Sequence, residues 1–464
     1  MKKALLKNSV KEIKNTYKRF ISILLMAFLG VGFFAGLRAT SPDMLKTIDN
    51  YYKEQNVYDI QILSTLGLTS NDVEEISKIE NVEKISKSYE TDGKIDIDNK
   101  EIITKFITIE DVNKPILLNG NMPQNQDECL VEESFLTTNN KKIGDTITVD
   151  IEDTQNDDGE KIKYLKTNEL KIVGTVKSPL FIARDRGTSK LGSGKINYYI
   201  YISENNINAS DIYTNIYVTV KDAKKYETSS KEYEDYIEEV KENIEQIKEK
   251  QEKERHDTLV AKAQEKEELN KNKQEFETQI KDAEKKLSDA KEKISEIENP
   301  KWYILDRNSN SGYVSFIQDT KSIDNISKVF PVVFFIVATL ISLTSMTRMV
   351  EEQRGQIGTL KALGYNKLQI MMKYIIYAGI ATIVGSVLGM CVGFVILPEI
   401  IWMMYGMMYQ MTDKILISFN WKYGGIRINF NKYMYNWSYN LHIFKGTSKY
   451  TICAYEAKST KGWK

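Results

Sequence analysis

The chain has 464 residues, enough for two or three domains. Its 64 basic and 64 acidic side chains cancel, so no bulk charge favours nucleic acid and we expect no such partner. Three cysteines and two histidines are too few for a disulfide scaffold or a dense zinc site. The mean hydropathy of −0.39 averages a polar centre with three strongly apolar runs.

The three apolar runs are long enough to cross a membrane as helices, and none contains a charged residue. The runs are residues 20–37, 329–346 and 374–398. The predicted transmembrane helices are residues 20–39, 327–347 and 374–398. A cleaved signal peptide is the alternative for the first run, because a basic segment, residues 1–19, precedes it.

Lysine and arginine concentrate in residues 1–19 and in the loop 348–373 between the last two runs. Because cytoplasmic flanks of membrane helices are enriched in these residues, both segments are predicted to be cytoplasmic. The large region between the first two runs then lies outside the cell. We therefore expect a multi-pass protein of the cell membrane with a cytoplasmic N-terminus and a large extracytoplasmic domain.

Glycines recur at four-residue intervals in the third run, at Gly385, Gly389 and Gly393. Such a small-residue face allows a second helix to approach closely, so we predict a helix-packing site there. The alternative is that these are ordinary glycines of a membrane helix.

Residues 40–220 indicate a mixed α/β domain. Alternating apolar residues predict strands at 57–64, 105–109, 171–176 and 197–202. A short helix is predicted near residue 70, with Thr69 or Ser70 as its N-cap.

Two features of this domain could suggest chemistry but favour a structural role. The glycine-rich stretch 187–195 fails the spacing of a phosphate-binding loop and is interpreted as a connection between strands. Cys129 is a lone thiol with no histidine nearby in sequence and is interpreted as a half-buried structural residue. No nucleophile–base pair or metal cluster is evident, so we expect neither an enzyme nor a cofactor.

Residues 221–298 are rich in Lys, Glu, Asp, Gln and Ala and lack Gly and Pro. Two stretches carry apolar residues at alternating spacings of four and three, which is typical of coiled coils. The first stretch is Tyr233, Ile237, Val240, Ile244 and Ile247; the second is Phe276, Ile280, Ala283, Leu287, Ala290, Ile294 and Ile297. We predict an antiparallel hairpin with its tip near residues 250–262, followed by a return segment, 299–326. The tip is a candidate site for an extracytoplasmic partner, and a solvated charged face is the alternative.

The cytoplasmic loop carries the motif E-x-R-x-x-I-G-x-L-K-A-L-G at residues 352–364. The motif resembles the loop of the FtsX-like permease domain of MacB-type ABC transporters, where it joins two membrane helices. The matching residues are Glu352, Arg354, Ile357, Gly358, Leu360, Lys361, Ala362, Leu363 and Gly364. The order of one span, a large outer domain and further spans is also similar. Residues 184–195 resemble a segment of the outer domain in the subgroup with a coiled-coil insert.

The resemblance implies that the loop is a coupling helix, which transmits movement from a cytoplasmic ATPase to the membrane helices and the outer domain. A helical turn with Ile357, Leu360 and Leu363 on one side can sit in a groove of a partner. Because this sequence has no Walker A motif, the ATPase would be a separate polypeptide. Families of this kind act on lipids or peptides, or regulate the cell envelope.

The end of the chain departs from the family pattern. Residues 399–425 follow the third run as an extracytoplasmic loop, but residues 426–464 are too polar and aromatic to form the expected fourth span. Read one base downstream, the tail can encode an apolar span and a basic end. We therefore expect a frameshift near residues 426–430 and a truncated permease, in which His442 and Cys453 carry no function.

The sequence thus predicts a membrane protein with α-helical spans, an extracytoplasmic α+β domain and a coiled-coil hairpin. Its predicted function is that of an ABC transporter permease that works with a cytoplasmic ATPase, membrane lipid and possible further partners such as a second permease half. The alternatives are a membrane-anchored coiled-coil scaffold or signalling protein without an ATPase, and a non-functional truncated product.

Overall fold

The computed structural model describes residues 13–98, 100–155, 161–208, 211–275 and 299–417. These residues form two compact units. The first, here called the α/β unit, consists of Ile48–Ile317 and Gly406–Thr412. The second, the helical unit, contains Gln318–Tyr405 and the described residues before Ile48 and after Thr412.

The helices and strands are numbered in chain order. The described helices are α1 Tyr17–Glu54, α2 Ser70–Ser77, α3 Glu133–Thr138, α4 Lys231–Glu275, α5 Ser311–Glu352, α6 Arg354–Ala362 and α7 Lys367–Tyr405. The described strands are β1 Ile60–Leu68, β2 Val82–Ser88, β3 Glu90–Ile97, β4 Lys100–Thr108, β5 Ile116–Gly120, β6 Glu128–Glu132, β7 Thr146–Asp150, β8 Thr154–Gln155, β9 Lys161–Ile162, β10 Glu169–Lys177, β11 Tyr198–Ile202, β12 Tyr213–Val220 and β13 Trp302–Asp306.

Two helices of the described chain are long and apolar enough to cross a membrane: Tyr17–Glu54 and Leu368–Tyr405. They contain the first and third predicted spans. Helix α1 continues beyond residue 39 because buried side chains still recur at helical spacing, at Met44, Ile48 and Tyr52. The α/β unit accordingly begins inside this helix, at Ile48, and not at residue 40 as predicted.

The second predicted span, residues 327–347, lies within α5. Among the described side chains of its apolar run, residues 329–346, seven large ones are exposed: Val329, Phe330, Val332, Val333, Ile336, Val337 and Leu340. Exposed apolar surface of this extent is typical of a face that contacts lipid or another helix. That α5 crosses the membrane stays a prediction.

The α/β unit contains two main sheets and the two-stranded sheet β8-β9. The larger has the strand order β5-β10-β6-β11-β4-β3-β7, with β4–β11 and β6–β10 parallel and the other pairs antiparallel. Strand β7 also pairs with β10, which closes a ring of strands. The smaller sheet, β13-β1-β12-β2, is antiparallel throughout. The predicted α+β class is therefore correct, and the return segment supplies an edge strand, β13.

The local predictions for this unit hold with small shifts. The four strands predicted from alternation overlap β1, β4, β10 and β11. Helix α2 begins at Ser70 with Thr69 as its N-cap. The Asp72 carboxylate accepts hydrogen bonds from the Thr69 N–H, at 2.6 Å, and from its hydroxyl, at 2.9 Å. These bonds satisfy donors at the start of a helix too short to be stable alone.

The first predicted coiled-coil stripe has a different role from the one expected. Tyr233, Ile237, Val240 and Ile244 of α4 are buried in the same apolar cluster as Ile60 of β1 and other residues of both sheets. An apolar stripe at spacings of four and three fits a coiled coil and a helix on a core equally well. Here the stripe faces the core of the α/β unit, so the prediction of a coiled-coil arm at these residues is wrong.

The predicted hairpin tip at residues 250–262 is also wrong, because α4 runs through these residues to Glu275. The charged segment contains good helix formers and no glycine or proline that would end the helix. Its side chains also bond to α2 and β1. The Gln251 amide oxygen accepts from the Asn71 amide of α2 at 2.9 Å, and Arg255 donates to the Leu66 carbonyl of β1 at 3.2 Å.

Several predictions fall outside the described residues. The second coiled-coil stripe and any turn beyond Glu275 belong to residues 276–298. The frameshifted tail, with His442 and Cys453, belongs to residues 418–464. Of the predicted loop 399–425, the first residues continue α7 to Tyr405, and Gly406–Thr412 join the α/β unit.

Candidate functional site

The family-like motif forms a short helix between two long ones. Helix α5 ends at Glu352, Gln353 leaves the helical conformation, and α6 spans Arg354–Ala362. Gly364 then adopts a φ of +84°, which favours glycine. The Tyr365 N–H bonds to the Leu360 carbonyl at 3.1 Å and the Gly364 N–H to the Lys361 carbonyl at 3.0 Å. This is a Schellman motif, so the final glycine of the sequence motif is a helix terminator.

One face of α6 is held by the chain itself. Ile357 and Leu360 pack against an apolar cluster of the helical unit. The buried members of that cluster are Ile23, Met349, Val350, Ile370, Tyr374, Tyr377 and Ala381. Leu363 is different, with 70% of its surface exposed. Ile357 and Leu360 are partly buried and pack toward the cluster, whereas Leu363 does not, and partner binding by this face stays a prediction.

The opposite face of α6 is small and open. Gly355, Thr359 and Ala362 are exposed, and with Gly358 they recur at helical spacing on one side. A Cβ atom added at Gly355 or Gly358 would meet no atom within 4 Å. The backbone of α6 is consequently accessible on this side to a closely approaching surface.

Polar contacts hold Glu352 and Gln353, the two residues at which α5 passes into α6. Arg19 donates to the Glu352 carboxylate at 2.7 Å, and this bond holds the pKa of Glu352 below its usual range. Gln353 accepts from the Tyr374 hydroxyl at 2.9 Å and from Lys373 at 3.3 Å. Sequence reasoning assigned Glu352 to the site but missed its partners, because contacts of the N-terminal segment with residue 352 are not visible in local spacing.

The glycine face of α7 lies against α1. A Cβ atom at Gly385, Gly389 or Gly393 would come closer than 3.0 Å to a backbone carbonyl oxygen of α1, from Leu24, Phe28 and Gly32 respectively. Gly32 and Gly36 of α1 make the same close approach to α7. The second helix expected at this face is thus α1. The glycines of α1 were missed, although their four-residue spacing within the first apolar run is the same signal.

Two features of the α/β unit could suggest chemistry, Cys129 and the glycine-rich stretch 187–195. No group of three or more His, Cys, Asp or Glu side chains among the described residues is placed to hold a metal ion. Cys129 is fully buried, and burial raises its pKa far above the usual value of a thiol. The glycine-rich stretch forms a tight turn closed by a bridge between Thr188 and Lys195, beside an open polar cleft of about 460 Å³. Cys129 is thus more deeply buried than the half-buried residue predicted, and the glycine-rich stretch lies between β10 and β11, as expected of a connection between strands.

Glu110 is a pH-sensitive group of the α/β unit. Burial raises its pKa to about 7, with a further contribution from the charge of Glu204, against hydrogen bonds with Ser86 and Thr108 and the charge of Lys87. Its folded pKa lies above its unfolded value, so its contribution to stability is fully present below about pH 4.5 and is lost as the pH rises through about 7.

We therefore expect the α/β unit to lose about 1 to 2 kcal/mol of stability between pH 5 and pH 8 through this partly exposed carboxyl. Thermal unfolding of the full chain in detergent at both pH values measures the loss. The Glu110→Gln variant, which cannot ionise, should show a smaller difference between the two pH values. An equal difference in variant and wild type would assign the pH dependence to other groups.

The comparisons with known proteins come from sequence and from structure. Residues 328–438 match the family model described as FtsX-like permease C-terminal. No curated protein sequence matches the chain. Similar solved structures include the extracellular domain of the noncanonic ABC-type transporter YknZ from Gram-positive bacteria, with 13% identity over 39% of this chain and 92% of that chain and a TM-score of 0.24. Another is the periplasmic region of MacB from Actinobacillus actinomycetemcomitans, with 14% identity over 42% of this chain and 89% of that chain and a TM-score of 0.26.

The matched segment contains α6, the whole of α7 and the second apolar run, residues 329–346. It therefore includes the loop motif and the glycine face of α7. The match agrees with the family recognised from residues 352–364 alone. Residues 328–438 are therefore similar to the C-terminal domain of FtsX-like permeases.

Proposed function

We propose that the chain is the permease subunit of an ABC transporter that works by mechanotransmission. In this proposal a separate cytoplasmic ATPase moves α6, and the membrane helices pass the movement to an extracytoplasmic α/β unit. The family match over residues 328–438 supports the permease assignment. The coupling role rests on one observation: α6 packs against the helical unit on one face and is open on the other.

A coupling helix has to meet two requirements, and α6 meets both. It must be attached firmly to the membrane helices, which Ile357 and Leu360 achieve through the apolar cluster of the helical unit. It must also offer a surface to the partner, which the open face around Gly355 and Gly358 provides. We place the ATPase contact on this small-residue face and on the exposed side chain of Leu363, with Lys361 and Arg354 nearby in the motif.

The remaining parts of the proposal follow from the permease role. The N-terminus and α6 are cytoplasmic, α1, α5 and α7 cross the membrane, and the chain itself catalyses no reaction. The cargo class is lipid or peptide in the membrane or at its outer surface, or the movement regulates an envelope partner. The exposed apolar face of α5 suits membrane lipid or a second permease half. A membrane-anchored scaffold without an ATPase is the competing function, since α4 extends to Glu275 with a highly charged surface.

The double variant Gly358→Asp/Leu363→Asp tests the ATPase contact. It places two carboxylates on the open side of α6, where they would be buried and unpaired in a complex. We expect about a tenfold loss of the cytoplasmic ATPase that co-purifies with the full chain from native membranes, which corresponds to about 1.4 kcal/mol of binding free energy. Quantitative mass spectrometry of the purified complex measures the amount of ATPase per permease chain.

The matched control is Leu363→Met, which keeps an apolar side chain at the exposed position and should retain the partner. Leu360→Asp is unsuitable, because Leu360 packs inside the helical unit and its loss would disturb the fold. Full retention of an ATPase by the double variant would contradict the coupling role of this face. Absence of any ATPase from the wild-type complex would favour the scaffold.

A further inference from the structure

The stretch that begins near Arg184 has no part in the proposed function, but its first residues bind a distant part of the chain. Segment Gly406–Thr412 directly follows α7 in sequence and belongs to the α/β unit. Tyr409 of this segment forms an antiparallel bridge with Ala183. The flanking hydrogen bonds run from the Arg184 N–H to the Met408 carbonyl, at 3.0 Å, and from the Gln410 N–H to the Ile182 carbonyl, at 2.5 Å. The segment after α7 is therefore held as a short added strand.

A buried ion pair lies directly under this added strand. Glu132, at the end of β6, and Arg186 have side chains that are 2% and 10% exposed. The Arg186 Nε donates to Glu132 Oε2 at 2.8 Å, and its Nη2 donates to Oε1. The same Oε1 accepts from the side-chain amide of Gln410 at 3.2 Å and from the Ser134 hydroxyl. One carboxylate thus links β6, the Arg184 stretch and the segment after α7.

Apolar packing completes the attachment. Tyr409 and Met411 are 4% and 5% exposed, although neither belongs to a helix or strand of the main sheets. The ring of Tyr409 meets that of Phe316 edge-on, with 5.2 Å between the centroids. Lys177 of β10 donates to the Met411 carbonyl at 3.3 Å. A loop that only connected two helices would not need two buried side chains and hydrogen bonds to three other segments.

We propose that Glu132 and Arg186 form a latch that fixes segment Gly406–Thr412 on the α/β unit. Glu132 is then a positioning residue for the chain that leaves α7. If the proposed function is correct, α7 moves the α/β unit through this latch, in addition to α1 and α5, whose sequences run directly into that unit. The latch itself rests on contacts within the α/β unit and not on the identity of the transporter.

Hydrogen exchange in the full chain, purified in detergent, tests the latch. The amides of Arg184 and Gln410 are hydrogen-bonded across the bridge, so their exchange reports detachment of the segment. We expect Glu132→Gln to accelerate exchange at both amides by about tenfold or more, while the amides between β4 and β11 keep wild-type rates. Unchanged rates at the two amides, within about twofold of wild type in a folded variant, would overturn the latch.

Two further variants keep this test decisive. Removing one partner of a buried pair leaves an unpaired charge, which destabilises the fold around it, so Glu132→Gln alone does not separate loss of the latch from loss of the unit. The pair Glu132→Gln/Arg186→Met removes both charges; it should keep the sheet amides protected and still release the segment. Asp92→Asn, which breaks the 2.6 Å ion pair with Lys105 in the same sheet, should leave both reporter amides unchanged. Equal acceleration in Asp92→Asn would overturn the latch, and no outcome depends on ATP hydrolysis.

Discussion

The substitution Arg307→Met is expected to destabilise the α/β unit by about 3 to 5 kcal/mol, the usual cost of removing one partner of a buried ion pair. Arg307 follows β13 and is 6% exposed. Its guanidinium donates to Asp59 at 2.9 Å, to the carbonyls of Tyr58, at 2.7 Å, and Val57, at 2.9 Å, and to the Thr228 hydroxyl, at 3.1 Å. Methionine fills much of the same volume but satisfies none of these acceptors, and it leaves the Asp59 charge buried.

The aromatic surroundings of Arg307 add to the expected loss. The guanidinium carbon lies 5.3 Å from the ring centroid of Tyr52 and 5.1 Å from that of Tyr233. Tyr233 also donates to Asp59 at 2.6 Å. The ion pair of Arg307 and Asp59 therefore joins four segments: the end of α1, the start of β1, the start of α4 and the segment after β13. The first and last of these places lie near the points where the chain enters the α/β unit, at Ile48, and leaves it, at Ile317.

Hydrogen exchange of the slowest amides of β1 and β12 in the full chain measures this effect. Lys94→Met is the matched control, because it breaks an ion pair with Glu101 whose side chains are 34% and 43% exposed. An exposed pair contributes about 1 kcal/mol or less. The double variant Asp59→Asn/Arg307→Met should recover part of the loss, since no unpaired charge remains. A loss below about 1 kcal/mol in Arg307→Met would show that water reaches the site and solvates Asp59.

The sequence allowed the element types to be predicted better than their partners. Alternating apolar residues located β1, β4, β10 and β11, although β11 is buried on both faces. The stripe from Tyr233 to Ile244 was located equally well, but its partner was assigned wrongly. A helical stripe indicates which face of the helix is buried but not which residues pack against it. The packing of α4 against both sheets shows that its stripe belongs to the core and not to a coiled coil.

The same limit applied to the candidate site. The motif at residues 352–364 located α6 and its terminating glycine, because both depend on local backbone preferences. The inward direction of Ile357 and Leu360 depends on the cluster around Tyr377, which lies on another helix. The buried pairs of Arg307 and Glu132 gave no local signal at all. Each charge is neutralised by a residue more than 50 positions away in sequence.

Bulky residues on the glycine face of α7 are expected to disrupt its contact with α1. In Gly393→Leu the new Cβ would lie closer than 3.0 Å to the Gly32 carbonyl oxygen, and in Gly389→Leu to that of Phe28. The obstructing atoms are helix backbone, which cannot rotate away as a side chain can, so the two helices must separate. Overpacking of this kind costs about 1 to 3 kcal/mol, and the lost contacts between the helices add to it.

Thermal unfolding of the full chain in detergent, with Gly379→Leu as the matched control, measures this loss. Gly379 lies on the same helix, but an added Cβ there meets no atom within 4 Å, so leucine should be tolerated. Leucine also has the higher helix propensity, by about 0.8 kcal/mol relative to glycine, so any loss at Gly389 or Gly393 arises despite a more stable helix. Equal midpoints for Gly393→Leu and Gly379→Leu would mean that α1 and α7 do not pack closely in the folded protein. A lower midpoint for Gly393→Leu and Gly389→Leu alone would assign the repeating glycines to helix contact, as their spacing predicts.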